Sequence, residues 1–156
     1  MGITICAVGR LRQRPEAVLV SDYINRFNKL GRQLGFGPAN LIEVEDKNGS
    51  GVSAEAALLE KAIPNKSVIG VLDENGKTLT SPNLASFLVS CRDNSKNNVT
   101  FLIGGADGIE ESLKKKAECA LSFGKMVWPH SLARVMLAEQ IYRSATILLK
   151  TPYHRN

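Results

Sequence analysis

Cysteine is scarce: Cys6, Cys91 and Cys119 are the only three in 156 residues. They are odd in number, far apart and never in a C-x-x-C pair. That argues against a disulfide framework and a zinc knuckle, and for a reducing cytosol. Each reads as a small, semi-buried hydrophobe. Aromatic residues make up 6% of the chain, and histidine occurs twice, at His130 and His154. No apolar run approaches the ~18 residues of a membrane-spanning helix. The opening MGITICAVGRLRQ lacks the positive-then-apolar order of a secretory signal. A cytoplasmic protein with no membrane partner and no metal is therefore expected. Repeats, linkers and low-complexity segments are also missing, so residues 1–156 are expected to form a single domain.

What is present is a globular composition, 44% hydrophobic and 22% charged, with an uneven charge. The net charge is +5. Residues 1–36 carry six basic and two acidic side chains, residues 37–111 six and eleven, and residues 112–156 eight and two. Two basic ends around an acidic middle suit a polyanionic partner, of which nucleic acid is the commonest.

Strand and helix signals alternate. ITICAVG (3–9) reads as a buried strand, and Pro15 opens a helix through about Leu34, with Val18, Tyr23, Phe27 and Leu30 near helical spacing and Gly35 closing it. ANLIEVED (39–46) alternates as a strand does. Ser53 suits the N-cap of AEAALLEKAI, which Pro64 ends. SVIGVLD (67–73) is a third strand, followed by a turn at 73–77. Ser81-Pro82 reads as N-cap and first turn of another helix. VTFLIGG (99–105) is a fourth strand, with a helix expected after it through about Cys119. LSFGKMVW (121–128) has strand character, and residues 131–150 form the longest helical stretch. Such alternation implies an α/β fold around a mostly parallel sheet, with ligands bound at the carboxyl ends of strands.

Three strand ends carry unusual residues: Leu72-Asp73, Gly104-Gly105 and Trp128-Pro129-His130. At Gly104-Gly105-Ala106-Asp107-Gly108, glycines let a ligand approach the backbone, and a helix start favours negative charge. The order is not G-x-G-x-x-G, so a dinucleotide fingerprint is absent, but a carboxylate- or adenosine-bearing ligand fits. Gly70 and Gly76-Lys77-Thr78 fail as a phosphate loop, because five residues separate the glycines and two of them are acids. Arg134 stands four residues after His130, which lets one helix face present both. Glu139 and Arg143 have the spacing of a surface ion pair. Tyr153-His154-Arg155 combines a stacking ring, a proton carrier and a phosphate binder.

Taken together, Leu72-Asp73-x-x-Gly76-Lys77, Leu102-Ile103-Gly104-Gly105-x-x-Gly108, Pro129-His130-x-Leu132-x-Arg134, Glu139-Gln140-x-Tyr142-Arg143-Ser144 and Pro152-Tyr153-His154-Arg155 resemble the ribosomal RNA large subunit methyltransferase H family, a branch of the SPOUT methyltransferases. The resemblance spans essentially the whole chain. It departs from the family pattern at Trp128, where a smaller apolar residue is usual, and at Thr151, where histidine is common. It implies a SPOUT-type sheet flanked by helices with a C-terminal trefoil knot, and a homodimer. It further implies methylation of N3 of a pseudouridine in 23S rRNA of the assembled ribosome, with S-adenosylmethionine as donor. The cofactor pocket falls on Leu72, Gly104, Gly105, Lys125, Met126, Val127, Trp128, Pro129 and His130. The catalytic tail falls on Tyr153, His154 and Arg155, and RNA contacts on Arg134 and Arg143.

Overall fold

Alternating apolar residues, which put successive side chains on opposite faces, create the central strands. In β1 (Gly2–Val8), Ile3, Ile5 and Ala7 enter one core, whereas Cys6 and Val8 enter another. In β4 (Asn98–Ile103), Val99, Phe101 and Ile103 join the first core and Leu102 the second. The computed structural model describes residues 1–154, so Arg155 lies outside the described residues. The remaining strands are β2 (Ala39–Val44), β3 (Ser67–Thr78) and β5 (Cys119–Ser122). All pairings are parallel, in the order β2-β1-β4-β3-β5. Parallel neighbours need crossovers, and helices on both faces supply them.

The first core lies beneath α1 (Pro15–Gly31), α3 (Ser81–Asp93) and α5 (His130–Leu148), through Val20, Phe27, Leu84, Leu88, Leu137 and Ile141. The second lies beneath α2 (Val52–Ala62) and α4 (Glu111–Lys116), through Ala56, Leu59, Ile109 and Leu113. Helix α1 begins at Pro15 and runs into a short 3-10 turn, Arg32–Leu34, closed by Gly35 with φ +70. At the amino ends of the strands, polar side chains satisfy one another. Asn98 Nδ2 donates to Ser67 Oγ at 3.0 Å and to Thr100 Oγ1 at 2.9 Å, and Thr4 Oγ1 donates to Asn40 Oδ1 at 3.0 Å.

Several local expectations are corrected. Val18 is 70% exposed, and Val20 takes the core position instead. Thr80, not Ser81, caps α3, its Oγ1 accepting the Asn83 N–H at 3.2 Å. Gly51, not Ser53, precedes α2. The helix after β4 stops at Lys116 because Ala117 turns extended. The fifth strand therefore starts at Cys119, within the stretch read as helix. Residues 123–129 are a loop, opened by Gly124 at φ +115. Strand β3 continues to Thr78, with an irregularity between Leu72 and Lys77 where the turn was expected.

Candidate cofactor cleft and C-terminal tail

The irregularity within β3 and the carboxyl ends of β4 and β5 open into one cleft of about 650 Å³, within the usual range of roughly 300–1,000 Å³ for small-molecule sites. Its walls are residues 72–75, the turn 103–108, residues 121–124 and the loop 126–129, with His130 and Ala133 from the start of α5. Leu72, Gly104, Gly105, Met126, Val127, Trp128, Pro129 and His130 all line it; Lys125, exposed in the same loop, does not. Side-chain bonds fix the irregular segments. Ser122 Oγ donates to the Glu74 carbonyl at 3.1 Å and accepts the Gly124 N–H at 3.1 Å. Asp73 pairs with Lys114 of α4 and accepts the Asn75 N–H at 2.8 Å. The Lys114 partnership holds the Asp73 carboxyl below its ordinary range.

Two glycines set the shape of the β4 end. A Cβ on Gly104 would lie 2.1 Å from the Gly108 carbonyl oxygen, so only glycine fits that approach. A Cβ on Gly105 would meet the Glu55 carboxylate at 2.9 Å. The expected anion-favouring helix start is not realised at this turn. Helix α4 begins three residues beyond Gly108, and Asp107, Glu110 and Glu111 crowd its entrance. Burial raises the Glu55 pKa, reinforced by the charges of Asp107 and Asp46. Lys114 also lines the cleft and neutralises Asp73, so Glu74 and Asp107 leave the wall net acidic, which favours a ligand bearing positive charge.

His130 sits at the rim. Burial, then the charges of Arg134 and Arg14, hold its pKa below the usual histidine value, so the ring stays neutral near pH 7. Arg134 corrects the expectation of an RNA contact. It is 0% exposed, its Nη1 donating to the Gly9 carbonyl at 2.8 Å and to Glu43 Oε1 at 2.9 Å, and its Nη2 to the Val8 carbonyl. It ties α5 to the ends of β1 and β2 and has no surface to offer a nucleic acid. The thiols are unreactive in character, since burial pushes Cys6 and Cys119 up to about 11. Among the described residues, no three His, Cys, Asp or Glu side chains are grouped to hold a metal. No helix among them is long and apolar enough to cross a membrane.

The tail is built differently. Tyr153 Oη donates to Glu139 Oε1 at 2.9 Å, and Arg143 Nε donates to the same oxygen at 2.9 Å. Gln140 Nε2 donates to Glu139 Oε2 at 2.8 Å. The Tyr153 ring packs edge-on against Tyr142, with centroids 4.8 Å apart, and lies 4.9 Å from the Arg143 guanidinium. Burial and the bond to Glu139 raise the Tyr153 pKa. Arg143 Nη1 lies 3.4 Å from His154 Nδ1. A guanidinium only donates, so Nδ1 is the acceptor in this contact. Glu139 is thus the hub of the tail; its spacing to Arg143 signalled an ion pair, but not the tyrosine it also holds. Tyr153 and His154 do not line the cleft of their own chain. Along α5, His130 of the cleft and Arg143 of the tail are thirteen positions apart, roughly 20 Å at 1.5 Å per residue, and Ala133 and Glu139, where the two regions come nearest on the helix, are six apart, roughly 9 Å.

Comparison with known proteins follows the same boundaries. Residues 1–154 match the family model described as "Predicted SPOUT methyltransferase". The chain is 57% identical over 155 residues to a Dinoroseobacter shibae protein named ribosomal RNA large subunit methyltransferase H, with 99% of each chain covered. A protein of the same name from Roseobacter denitrificans is 54% identical over 156 residues, with 100% of each chain covered. Among solved structures, a probable methylase family protein from Haemophilus influenzae Rd KW20 matches with a TM-score of 0.51 and 12% identity, over 99% of this chain and 70% of that one. This last likeness concerns the fold alone.

Proposed function

The chain belongs to the SPOUT methyltransferase family, and on that premise we propose that it transfers the methyl group of S-adenosylmethionine to N3 of a pseudouridine in 23S rRNA of the assembled ribosome, in the cytoplasm. The carrying observation is the 57% identity, over 99% of both chains, to a protein named for large-subunit rRNA methylation. The cleft fits the donor: it has the volume, a tight glycine turn in its wall, and carboxylates suited to a cationic ligand. When bound, the sulfonium supplies an already activated methyl group. Leu72, Gly104, Gly105 and residues 126–130 would hold it. A neutral His130 at the rim adds no repulsive charge.

Methylation of an imide nitrogen needs loss of its proton and stabilisation of charge on the flanking carbonyl oxygens. His154 is assigned to the proton and Arg155 to the charge, with Tyr153 supporting the target base. Arg143, paired with Glu139, is assigned to contact the RNA. To take that proton, His154 must present an unprotonated ring nitrogen to the substrate; its Nδ1 lies against Arg143 Nη1, so uptake there requires release from Arg143.

The absence of Tyr153 and His154 from the lining of their own chain's cleft supports a homodimer in which the tail of one copy completes the cleft of the other. Exposed Met126, Val127 and Trp128 beside the cleft and Leu132 on α5 give a second copy apolar surface to cover. The C-terminal trefoil knot belongs to the same reading. Methyl transfer from labelled S-adenosylmethionine to ribosomes lacking the modification, with the nucleoside identified by mass spectrometry, tests the activity. Incorporation into N3-methylpseudouridine is expected, and its absence would overturn the assignment. Sedimentation equilibrium tests the dimer.

A further inference from the structure

Between β1 and α1 the chain presents Arg10, Arg12 and Arg14, all exposed, on a loop of six residues from Gly9 to Arg14. The loop is held firmly from below. Its Gly9 carbonyl accepts from buried Arg134, its Gly9 N–H donates to the Val44 carbonyl at 2.7 Å, and its Leu11 N–H donates to Glu43 Oε1 at 2.8 Å. Leu11 is buried. The arginines project from this base with little neutralisation. Arg10 and Arg12 share one carboxylate, Glu45, at 3.7 and 3.4 Å, and the Arg12 side chain remains 75% exposed. Arg14 has no carboxylate partner among the described residues. The other nearby acid, Glu43, is already taken by Arg134.

The position matters as much as the charge. Arg134 anchors the loop, and Ala133 beside it and His130 one turn earlier line the cleft. The charge of Arg14 is felt at His130. A rigid cationic loop therefore stands next to the rim of the cleft, whose own wall is acidic. The wall suits a cationic donor, and the loop suits an anionic strand.

We propose that Arg12 and Arg14 form a docking surface for backbone phosphates of the RNA strand flanking the target nucleotide, with Arg134 as the positioning residue that fixes their loop beside the cleft. The inference rests on RNA being the substrate. Arginine's planar fork matches phosphate oxygens, and such contacts orient a strand without reading its sequence. Anchoring before binding reduces the ordering entropy that a mobile loop would lose.

The test is steady-state methylation of unmodified ribosomes by Arg12→Gln, Arg14→Gln and the double variant, across ionic strengths. Lys66→Gln, exposed at the opposite ends of the strands, serves as the control for a non-specific loss of charge. The double variant is expected to raise KM for ribosomes about tenfold and to lower the dependence of log KM on log salt by about one per arginine, as loss of phosphate contacts does. S-adenosylmethionine affinity measured by calorimetry, and Tm, should stay at wild-type values. An unchanged KM and salt slope, or an equal change in Lys66→Gln, would overturn the docking surface while wild-type methylation still stood. A wild-type protein that methylates no ribosomal RNA would instead overturn the substrate reading beneath it.

Discussion

The cleft and the tail are two halves of one proposed site made by opposite means. The cleft is chiefly backbone: a glycine turn, an interrupted strand and a loop, its polar side chains spent on holding that backbone. The tail is chiefly side chain, a tyrosine and an arginine gathered around one carboxylate, with a histidine against the arginine. The difference teaches that shape recognition of a small ligand is vulnerable to added atoms, whereas presentation of reactive groups is vulnerable to lost ones. Substitutions that add and substitutions that remove should therefore separate binding from turnover.

The largest effect is expected from removal. Deleting residues 153–156 should leave folding and donor affinity nearly intact while single-turnover methyl transfer collapses. His154→Ala alone should lose roughly 10²–10⁴-fold in rate, the usual worth of positioned acid–base catalysis. Near-normal turnover on ribosomes at saturating donor would break the contrast at its centre. Next is addition at Gly104. With the Gly108 carbonyl 2.1 Å from the new Cβ, Gly104→Ala should lower unfolding stability by about 1–3 kcal/mol, as overpacking does, and abolish donor binding in calorimetry. Gly105→Ala presses only on the end of the Glu55 side chain and should be milder in both readouts; Gly105→Val should still block the donor.

Smaller is the effect of loosening the tail without deleting it. Glu139→Gln keeps the shape but removes the charge that receives Tyr153 and Arg143, weakening hydrogen bonds to a charged group by about 1 kcal/mol. Turnover should fall several-fold at unchanged donor affinity, with increased amide exchange confined to the C-terminal residues. The smallest effect concerns pH. His130 has a lowered pKa when folded, so below its unfolded value the unfolded chain binds more protons. Stability is unaffected above that value and declines as pH falls through it towards the lower folded value. His130→Gln should flatten this part of a Tm-against-pH curve, and an unchanged slope would remove His130 as its source.

Much of the fold was legible where patterns were strong. Ile3, Ile5, Phe101 and Ile103 announce buried strands, and Pro15 with Gly35 brackets the first helix. The region from Cys119 to Trp128 was misplaced by propensity. Ala117, Glu118 and Ala120 continue a helical composition, but the free edge of β3 captures residues 119–122 as a strand. Met126 and Val127 look like strand residues yet stand exposed beyond Gly124. The cleft residues were legible because glycine and proline betray backbone shape. Arg134 was misjudged by assuming that charge lies outside. The corrective signal was available: it shares the apolar stripe of Leu137, Ala138 and Ile141. The role of Glu139 was hidden because its partner comes from fourteen residues away.

The Arg134 bond network also has a consequence for synthesis. It joins residue 134 to the carbonyls of residues 8 and 9, separations of 126 and 125 along the chain, and one edge of β1 pairs with β4, about a hundred residues later in the chain. The first strand is thus made early and finished late. At roughly 5–20 residues per second of translation, β1 waits about 6–25 seconds between its own emergence and that of the side chain that closes its end. Through most of that interval the β4 edge of the strand stays open. Variants of Arg134 should lower the yield of soluble protein in cells out of proportion to their effect on the melting temperature of what survives.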